Sequence, residues 1–356
     1  MIYAPVMIPT LNRLDHLKAC LESLAYCTWA DQTEVYIGLD FPPAPKYEAG
    51  YKEVKVFLEN CGNMGFKKLH VIKREENYGP AKNFREMQKE LFSKYDRIIC
   101  SDDDIEYAPN FLMYMDTVLE KYKDDKDIVA VSGYSSPISW KVSEGATCLK
   151  QYIAASDWGI GYWRDTYTEM INYLYDDGPR KALKKAVKER LYNRMIDVAK
   201  KEFLAYACSL RFKNKDKDYW RLGGDFAMRC YIALEGKYFI TPTLSKTRNH
   251  GFDGSGAVCD AITGDFGDTA LTYDYEHQPI DTEKTFDLVE DTLHNHQANR
   301  EILNAYDYRE PSFMARTNRL IWICENIGCW AAKLYMRILQ PFDIIKILWS
   351  RHIAQA

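Results

Sequence analysis

Three consecutive carboxylates, Asp102, Asp103 and Asp104, close the run Arg97-Ile98-Ile99-Cys100 and precede Ile105-Glu106-Tyr107-Ala108-Pro109. At an effective dielectric near 20, each close pair of such charges repels by ~4 kcal/mol. A site that concentrates them gains from a compensating cation, and the chemistry this suggests is a metal ion carrying a phosphate. The plainer alternative is a solvated acidic turn in which an Asp caps a helix.

What precedes and follows the cluster decides where it sits. Ile98–Cys100 is short and β-branched, which predicts a buried strand, and Pro109 suits the first turn of a helix, where its missing N–H costs nothing. The carboxylates are then expected on the loop at the carboxyl end of a strand, where open α/β sheets bind ligands. Between residues 6 and 134, short apolar runs alternate with segments of helical period: Val6–Ile8, Leu14–Leu24, Val35–Leu39, Val54–Leu58, Leu69–Ile72, Ala81–Leu91, Ile98–Cys100, Phe111–Tyr122 and Ile128–Val131. That order predicts an α/β fold with a mostly parallel sheet and crossover helices. Leu14, Leu17, Leu21 and Leu24 line one face of the first helix, and Asn12 is placed to cap it. No Gly-x-Gly-x-x-Gly or Walker signature follows these strands, which argues against dinucleotide and P-loop binding.

A chain of 356 residues, 47% hydrophobic and 28% charged, can bury a full core in one large domain or two modest ones. The net charge of −4 offers no broad electrostatic attraction for nucleic acid. The ten cysteines are scattered, with no Cys-x-x-Cys pair, and several lie inside apolar runs, which favours reduced core thiols. Met1-Ile2-Tyr3-Ala4-Pro5 leads straight into a strand-like run without the basic and apolar regions of a signal peptide. The expected compartment is cytoplasmic.

Two segments stand apart. Arg180 to Lys217 is basic and of helical period, through Leu183, Val187, Leu191, Met195 and Val198. It reads as an inserted helical pair, about 176–217, whose basic face is either simply solvated or able to hold an anionic or lipid-linked acceptor. From 311 to 356 the chain becomes apolar, while Arg319, Asn326, Lys333 and Arg337 recur at intervals of seven, seven and four, on one helical stripe. Six basic residues (Arg316, Arg319, Lys333, Arg337, Lys346, Arg351) oppose Glu325 and Asp343, a net charge of +4 for this tail. An amphipathic basic tail with Trp322, Trp330 and Trp349 suits a helix lying in a membrane surface, on the inner face if the compartment is cytoplasmic. The alternative is a helix pair packed on the catalytic core or in an oligomer.

The acidic cluster in this context resembles the metal-binding Asp-x-Asp element of nucleotide-sugar glycosyltransferases of the GT-A fold. Ser101-Asp102-Asp103-Asp104-Ile105-Glu106-Tyr107-Ala108-Pro109-Asn110-Phe111 is similar to the acidic motif of the N-acetylglucosaminyltransferase I family. The resemblance implies that Asp104 is the direct ligand of Mn2+ (or Mg2+), with Asp102 and Asp103 against the donor and Asp102 also near the metal. Pro5-Val6-Met7-Ile8-Pro9-Thr10-Leu11-Asn12-Arg13 looks like the first strand and loop of family 2-like glycosyltransferases, which implies nucleotide contacts from Pro9, Thr10, Asn12 and Arg13. Arg13 offers a fixed fork of donors for a phosphate or base carbonyl, and an exposed Arg at a helix start is the alternative. Asp40, ending Val35-Tyr36-Ile37-Gly38-Leu39, matches the nucleotide-recognising Asp of that family, or forms a turn before Phe41-Pro42-Pro43. Asn77-Tyr78-Gly79-Pro80-Ala81-Lys82-Asn83 resembles the element that lies against the donor, with Gly79 permitting close approach and Lys82 or Asn83 reaching the nucleotide or diphosphate.

The second half carries three further matches. Trp158-Gly159-Ile160-Gly161-Tyr162-Trp163 is similar to a Trp-Gly-x-x-x-Trp element of bacterial polysaccharide transferases, in which aromatic faces stack on sugar. Trp158 is read as the functional member and Trp163 as core. Gly223-Gly224-Asp225-Phe226 falls where the resembled family has an acidic pair followed by an aromatic, which implies Asp225 as the general base; otherwise it is a helix N-cap. The run from Ser245 through Lys246, Arg248, His250 and Ser255 to Cys259 resembles a glycine-rich loop over the donor, with Lys246 and Arg248 facing the diphosphate. Many relatives have His where this chain has Val258, so a metal ligand from that position is unavailable here.

Taken together the motifs predict a catalytic domain over 1–310, its nucleotide half at 1–134 and acceptor half at 135–310, followed by the tail at 311–356. The expected reaction is inverting transfer from a nucleotide-sugar, a UDP-sugar by resemblance, to a saccharide or lipid-linked saccharide. A sugar-nucleotide pyrophosphorylase would also use metal-binding aspartates but should carry a Gly-rich loop after its first strand, and Ile8-Pro9-Thr10-Leu11-Asn12-Arg13 has no glycine. The non-enzymatic rival is a degenerate transferase serving as a subunit of a polysaccharide assembly complex.

Overall fold

The structure, a computed structural model, describes residues 2–153, 156, 158–175, 189, 194, 231–256, 278–306, 318–323, 326–328, 330–332, 334, 335 and 338. Asp225, Val258, the remainder of the 176–217 segment and residues 339–356 lie outside the described residues.

The alternation of short apolar runs and helical periods becomes β1 (Val6–Thr10), α1 (Leu14–Ala25), β2 (Glu34–Leu39), α2 (Glu48–Asn60), β3 (Lys68–Lys73), α3 (Gly79–Phe92), β4 (Arg97–Cys100), β5 (Ile105–Tyr107), α4 (Phe111–Lys121) and β6 (Ile128–Ser132). The second half adds β7 (Cys148–Gln151), β8 (Ile160–Trp163), α5 (Arg164–Tyr175), β9 (Tyr238–Pro242), β10 (Thr247–Asn249) and α6 (His296–Tyr306). Eight strands form one sheet in the order β3-β2-β1-β4-β8-β6-β9-β7, while β5 and β10 form a separate two-stranded ribbon. The pairs among β1, β2, β3 and β4 are parallel, as is β6 with β9; β8 runs antiparallel to both neighbours and β7 to β9. This is the expected mixed α/β architecture, and strands of both halves share the one sheet.

Side-chain alternation gives each sheet face a core. Val6 and Ile8 of β1, with Val35 and Ile37 of β2, pack toward Leu17, Leu21 and Leu24 of α1, Val54 of α2 and Met115 of α4. Met7, Tyr36, Ile98 and Cys100 turn the other way, onto Met87 and Leu91 of α3 and Met170 of α5. Both faces of the parallel strands are therefore buried, which suits their near-continuous apolar runs. Among the described residues Cys20, Cys27 and Cys148 are buried free thiols, and Cys61 is a partly buried one.

Two local expectations differ from what forms. Asn12 does not cap α1: Arg13 is the N-cap residue and makes no capping side-chain bond, because its guanidinium turns to the acidic cluster instead. Pro109 lies outside α4, whose N-cap is Asn110, because the chain first pairs as β5 immediately after the aspartates. The acidic triplet is thus followed by a strand, so the reading of an Asp cap on a helix falls away.

Asp116 of α4 is buried, and one of its oxygens accepts the Ala4 N–H at 2.9 Å while the other is unpaired. Burial pushes its pKa up to about 7, against that hydrogen bond and the nearby Arg97. The bond fixes the start of β1, which leads directly into the site.

Candidate active site

β1, β2 and β4 run parallel, so their carboxyl ends bring Thr10, Asp40 and the segment Ser101–Asp104 to one edge of the sheet. Asp103 is 5% exposed; it accepts the Thr10 hydroxyl at 2.7 Å and pairs with the Arg13 guanidinium. The same Arg13 nitrogen reaches Asp104 Oδ2 at 2.7 Å. Burial pushes the Asp103 carboxyl above its usual range, against the pull of Arg13. For Arg13, burial works against the charge, yet Asp103 and Asp104 outweigh it and raise its pKa. The repulsion among adjacent aspartates is therefore met within the chain by one guanidinium.

Asp104 is held from a second side by the ribbon. Its carbonyl accepts the His250 N–H at 2.9 Å, and a Cβ at Gly251 would overlap its carboxylate. The Gly251 N–H is in turn tied to Asn249 Oδ1 at 2.6 Å. Beyond the ribbon, His16 of α1 pairs with Asp253 at 2.9 Å and meets the Ser255 hydroxyl at 3.3 Å, which fastens residues 253–255 to the first helix. Thr10, Arg13, Asp103, Asp104, His250 and Ser255 are thus gathered from three parts of the chain.

A second group forms at the end of β2. Asp40 accepts the backbone N–H groups of Tyr78 and Gly79, each at 2.8 Å, and that of Phe41 at 2.9 Å, so its carboxylate ties β2 to the start of α3. Gly79 has φ 73°, a left-handed conformation that favours glycine. Asn83 is 1% exposed and donates to the Gly38 carbonyl at 2.8 Å, while Lys82 lies over the Tyr78 ring at 3.7 Å from its centroid. Pro9 pairs with Gly38 in the sheet, and the Asn12 carbonyl lies against Gly50.

The two tryptophans of the aromatic element lie in different surroundings. Trp163 is buried in β8 and donates its indole N–H to the Leu119 carbonyl at 3.2 Å, a core role. Trp158 is half-buried, edge-on to Tyr134 at 4.8 Å and to Phe252, the residue after Gly251, at 5.8 Å. Gly159 has φ 78°, and a Cβ there would overlap Thr247 and crowd Phe111.

Lys246 differs from expectation. It is 3% exposed, pairs with Asp281, and lies 5.2 and 5.8 Å from the ring centroids of Phe286 and Tyr114. Burial lowers its pKa, against the pull of Asp281. Its backbone is fixed on both sides, by the Gly133 carbonyl and the Ala108 N–H, so the side chain is committed to the interior. Arg248 remains on the outer side of the ribbon with His250, and both meet Glu106, a residue the motif reading included without giving it a task. The His250 hydrogen bond is the largest cause holding the Glu106 carboxyl below its usual range. Period-two spacing from Asp104 was the signal that could have found it.

Whether the cluster suits a divalent ion can be judged from Asp104 itself. Its Oδ2 is taken by Arg13, whereas Oδ1 is buried without a hydrogen-bond partner, as a cation ligand would be before loading. Among the described residues no three His, Cys, Asp or Glu side chains converge as a cage.

A mixed α/β sheet thus carries the acidic cluster at the carboxyl ends of its parallel strands, where the sequence placed it. The family model described as glycosyl transferase family 2 matches residues 6–179, just under half of the chain. No curated protein matches the chain. Similar solved structures include a Pyrobaculum calidifontis mannosyltransferase in complex with GDP-Man and Mn2+, at 16% identity over 48% of this chain and 46% of that one, TM-score 0.34. S. aureus TarS aligns at 12% identity over 68% of this chain and 35% of that one, TM-score 0.35. Its 1–349 fragment with UDP-GlcNAc aligns at 16% identity over 47% of each chain, TM-score 0.32. The chain thus spans about half or less of the length of these proteins.

Proposed function

We propose that the protein transfers a sugar from a nucleoside-diphosphate donor, a UDP-sugar in the first instance, to a saccharide hydroxyl with inversion at the anomeric carbon, as in glycan or surface polysaccharide synthesis. The observation that supports this best is the pairing of Asp103 and Asp104 with Arg13 and Thr10 at the carboxyl ends of β1 and β4. Asp104, with Asp102, would hold Mn2+ or Mg2+, which when bound supplies positive charge to the departing diphosphate. Arg13, which pairs with Asp103 and Asp104, and Arg248 of the adjoining ribbon add fixed cationic donors. Trp158 offers an aromatic surface for the sugar or acceptor, and Asp225 is assigned as the base that takes the acceptor proton as the hydroxyl attacks in line.

The test is release of nucleoside diphosphate from a panel of nucleotide-sugars with and without Mn2+, paired with thermal stabilisation by each donor. One donor should stabilise the protein and be turned over, and Asp225→Asn should keep the stabilisation and lose the turnover. Stabilisation of the wild type by no nucleotide-sugar would exclude this reading, and turnover by Asp225→Asn would exclude that base. Binding without turnover by the wild type would favour the assembly-subunit alternative.

A lipid-linked acceptor at a membrane surface is the second part of the reading, and the tail supports it. Leu320, Ile323 and Ala332 are buried against the core, whereas Trp322, Ile327, Trp330, Leu334 and Ile338 are exposed. No helix among the described residues is long and apolar enough to cross a membrane, so the fitting mode is a helix lying in the interface, with the tail's net +4 toward anionic headgroups. Truncation after residue 315 should abolish co-sedimentation with anionic liposomes; equal sedimentation of both forms would remove the tail from that role.

A further inference from the structure

The ribbon of β5 and β10 has two unlike faces. Ile105, Tyr107, Thr247 and Asn249 are buried, while Asp104, Glu106, Arg248 and His250 alternate with them on the more open side. Arg248 and Glu106 are direct partners in the antiparallel register, and residues 248 and 250 stand two apart on the same strand end. One oxygen, Glu106 Oε2, accepts from Arg248 Nη1 at 3.1 Å and meets His250 Nε2 at 2.7 Å. Arg248 is held again through its Nε, which donates to the Gln278 carbonyl at 2.8 Å. The His250 backbone is fastened to the Asp104 carbonyl, so the whole group borders the proposed donor site.

We propose that Glu106 is a positioning residue of that site, which holds the Arg248 guanidinium and the His250 ring in a fixed pair facing the donor diphosphate beside Asp104. This rests on the donor-site reading above. A single carboxylate between two cationic or polarised partners leaves the group with attraction for an anion while removing the freedom of two long side chains to splay. Preorganisation of this kind shows mainly in ligand affinity, because the ordering has been done before the donor arrives. An ordinary ion pair that served only the fold would act on stability and not on donor affinity.

The experiment titrates the full-length protein with UDP and with GDP, each in the presence and absence of Mn2+, by calorimetry, and follows donor KM and kcat for the sugar-nucleotide that is turned over. Glu106→Ala should weaken nucleoside-diphosphate binding about tenfold and raise donor KM more than it lowers kcat, with the thermal midpoint unchanged. Glu106→Gln, which keeps an acceptor oxygen, should recover part of the loss. In an Arg248→Ala/His250→Ala background, Glu106→Ala should add no further loss, because its partners are already gone. Equal affinity in wild type and Glu106→Ala, or a full additional loss in the double-variant background, would overturn the positioning role alone. A wild-type chain that binds neither nucleotide would overturn the donor-site reading, and this role with it.

Discussion

Asp104→Asn is expected to lower sugar transfer on the order of a thousandfold while the chain stays folded. Asparagine keeps the shape of the carboxylate and an oxygen for Arg13 but loses the charge that a divalent ion requires. Metal-held charge contributes several kcal/mol to a transition state that expels an anionic leaving group, and about 1.4 kcal/mol is a factor of ten. The fold should tolerate the change because Asp103 keeps Arg13 and Thr10, and because one source of repulsion between neighbouring carboxylates is removed. Steady-state turnover as a function of Mn2+, together with the thermal midpoint, checks both halves. Wild-type turnover by Asp104→Asn would show that the ion, if one is used, is held elsewhere.

Gly251→Ala should cost at least about tenfold in turnover and raise the Mn2+ concentration needed for it. The new Cβ would overlap the Asp104 carboxylate, which cannot simply swing aside because Arg13 holds Oδ2 and the ribbon holds the main chain. Overpacking of this size typically costs 1–3 kcal/mol, enough to displace a side chain without unfolding a domain of this size. The Mn2+ dependence of turnover is the informative measurement, since a general loss of stability would lower the maximum without shifting that dependence. A variant with the wild-type Mn2+ profile would mean that the approach of Gly251 to Asp104 has no part in the chemistry.

Much of the first half was legible in the sequence because its elements repeat local periods. Leu17, Leu21 and Leu24 announce a helix face, and Val35–Leu39 a buried strand, through spacing alone. The placement of Asp102–Asp104 after a strand followed from the same logic. β8 was hidden inside an aromatic motif: Ile160-Gly161-Tyr162-Trp163 is a fully buried four-residue strand with no alternation to reveal it. A Cβ at Gly161 would press on the ends of the Met115 and Leu119 side chains of α4, a contact visible only once that helix is in place.

The site divides along the same line. Residue order established an α/β chain with acids at a strand end and cations in a later loop, because strand and helix periods and turn residues act over a few neighbours. Which cations face the acids was decided by pairings across more than a hundred residues. β10 binds β5 and lays His250 and Gly251 against Asp104, while Lys246, one residue before that strand, is drawn inward to Asp281. Lys246 and Arg248 look alike in sequence, but one turns inward to the partly buried Asp281 and the other stays on the open ribbon face with Glu106. Burial and partner geometry set that difference, and neither exists before the sheet and the ribbon have closed on each other.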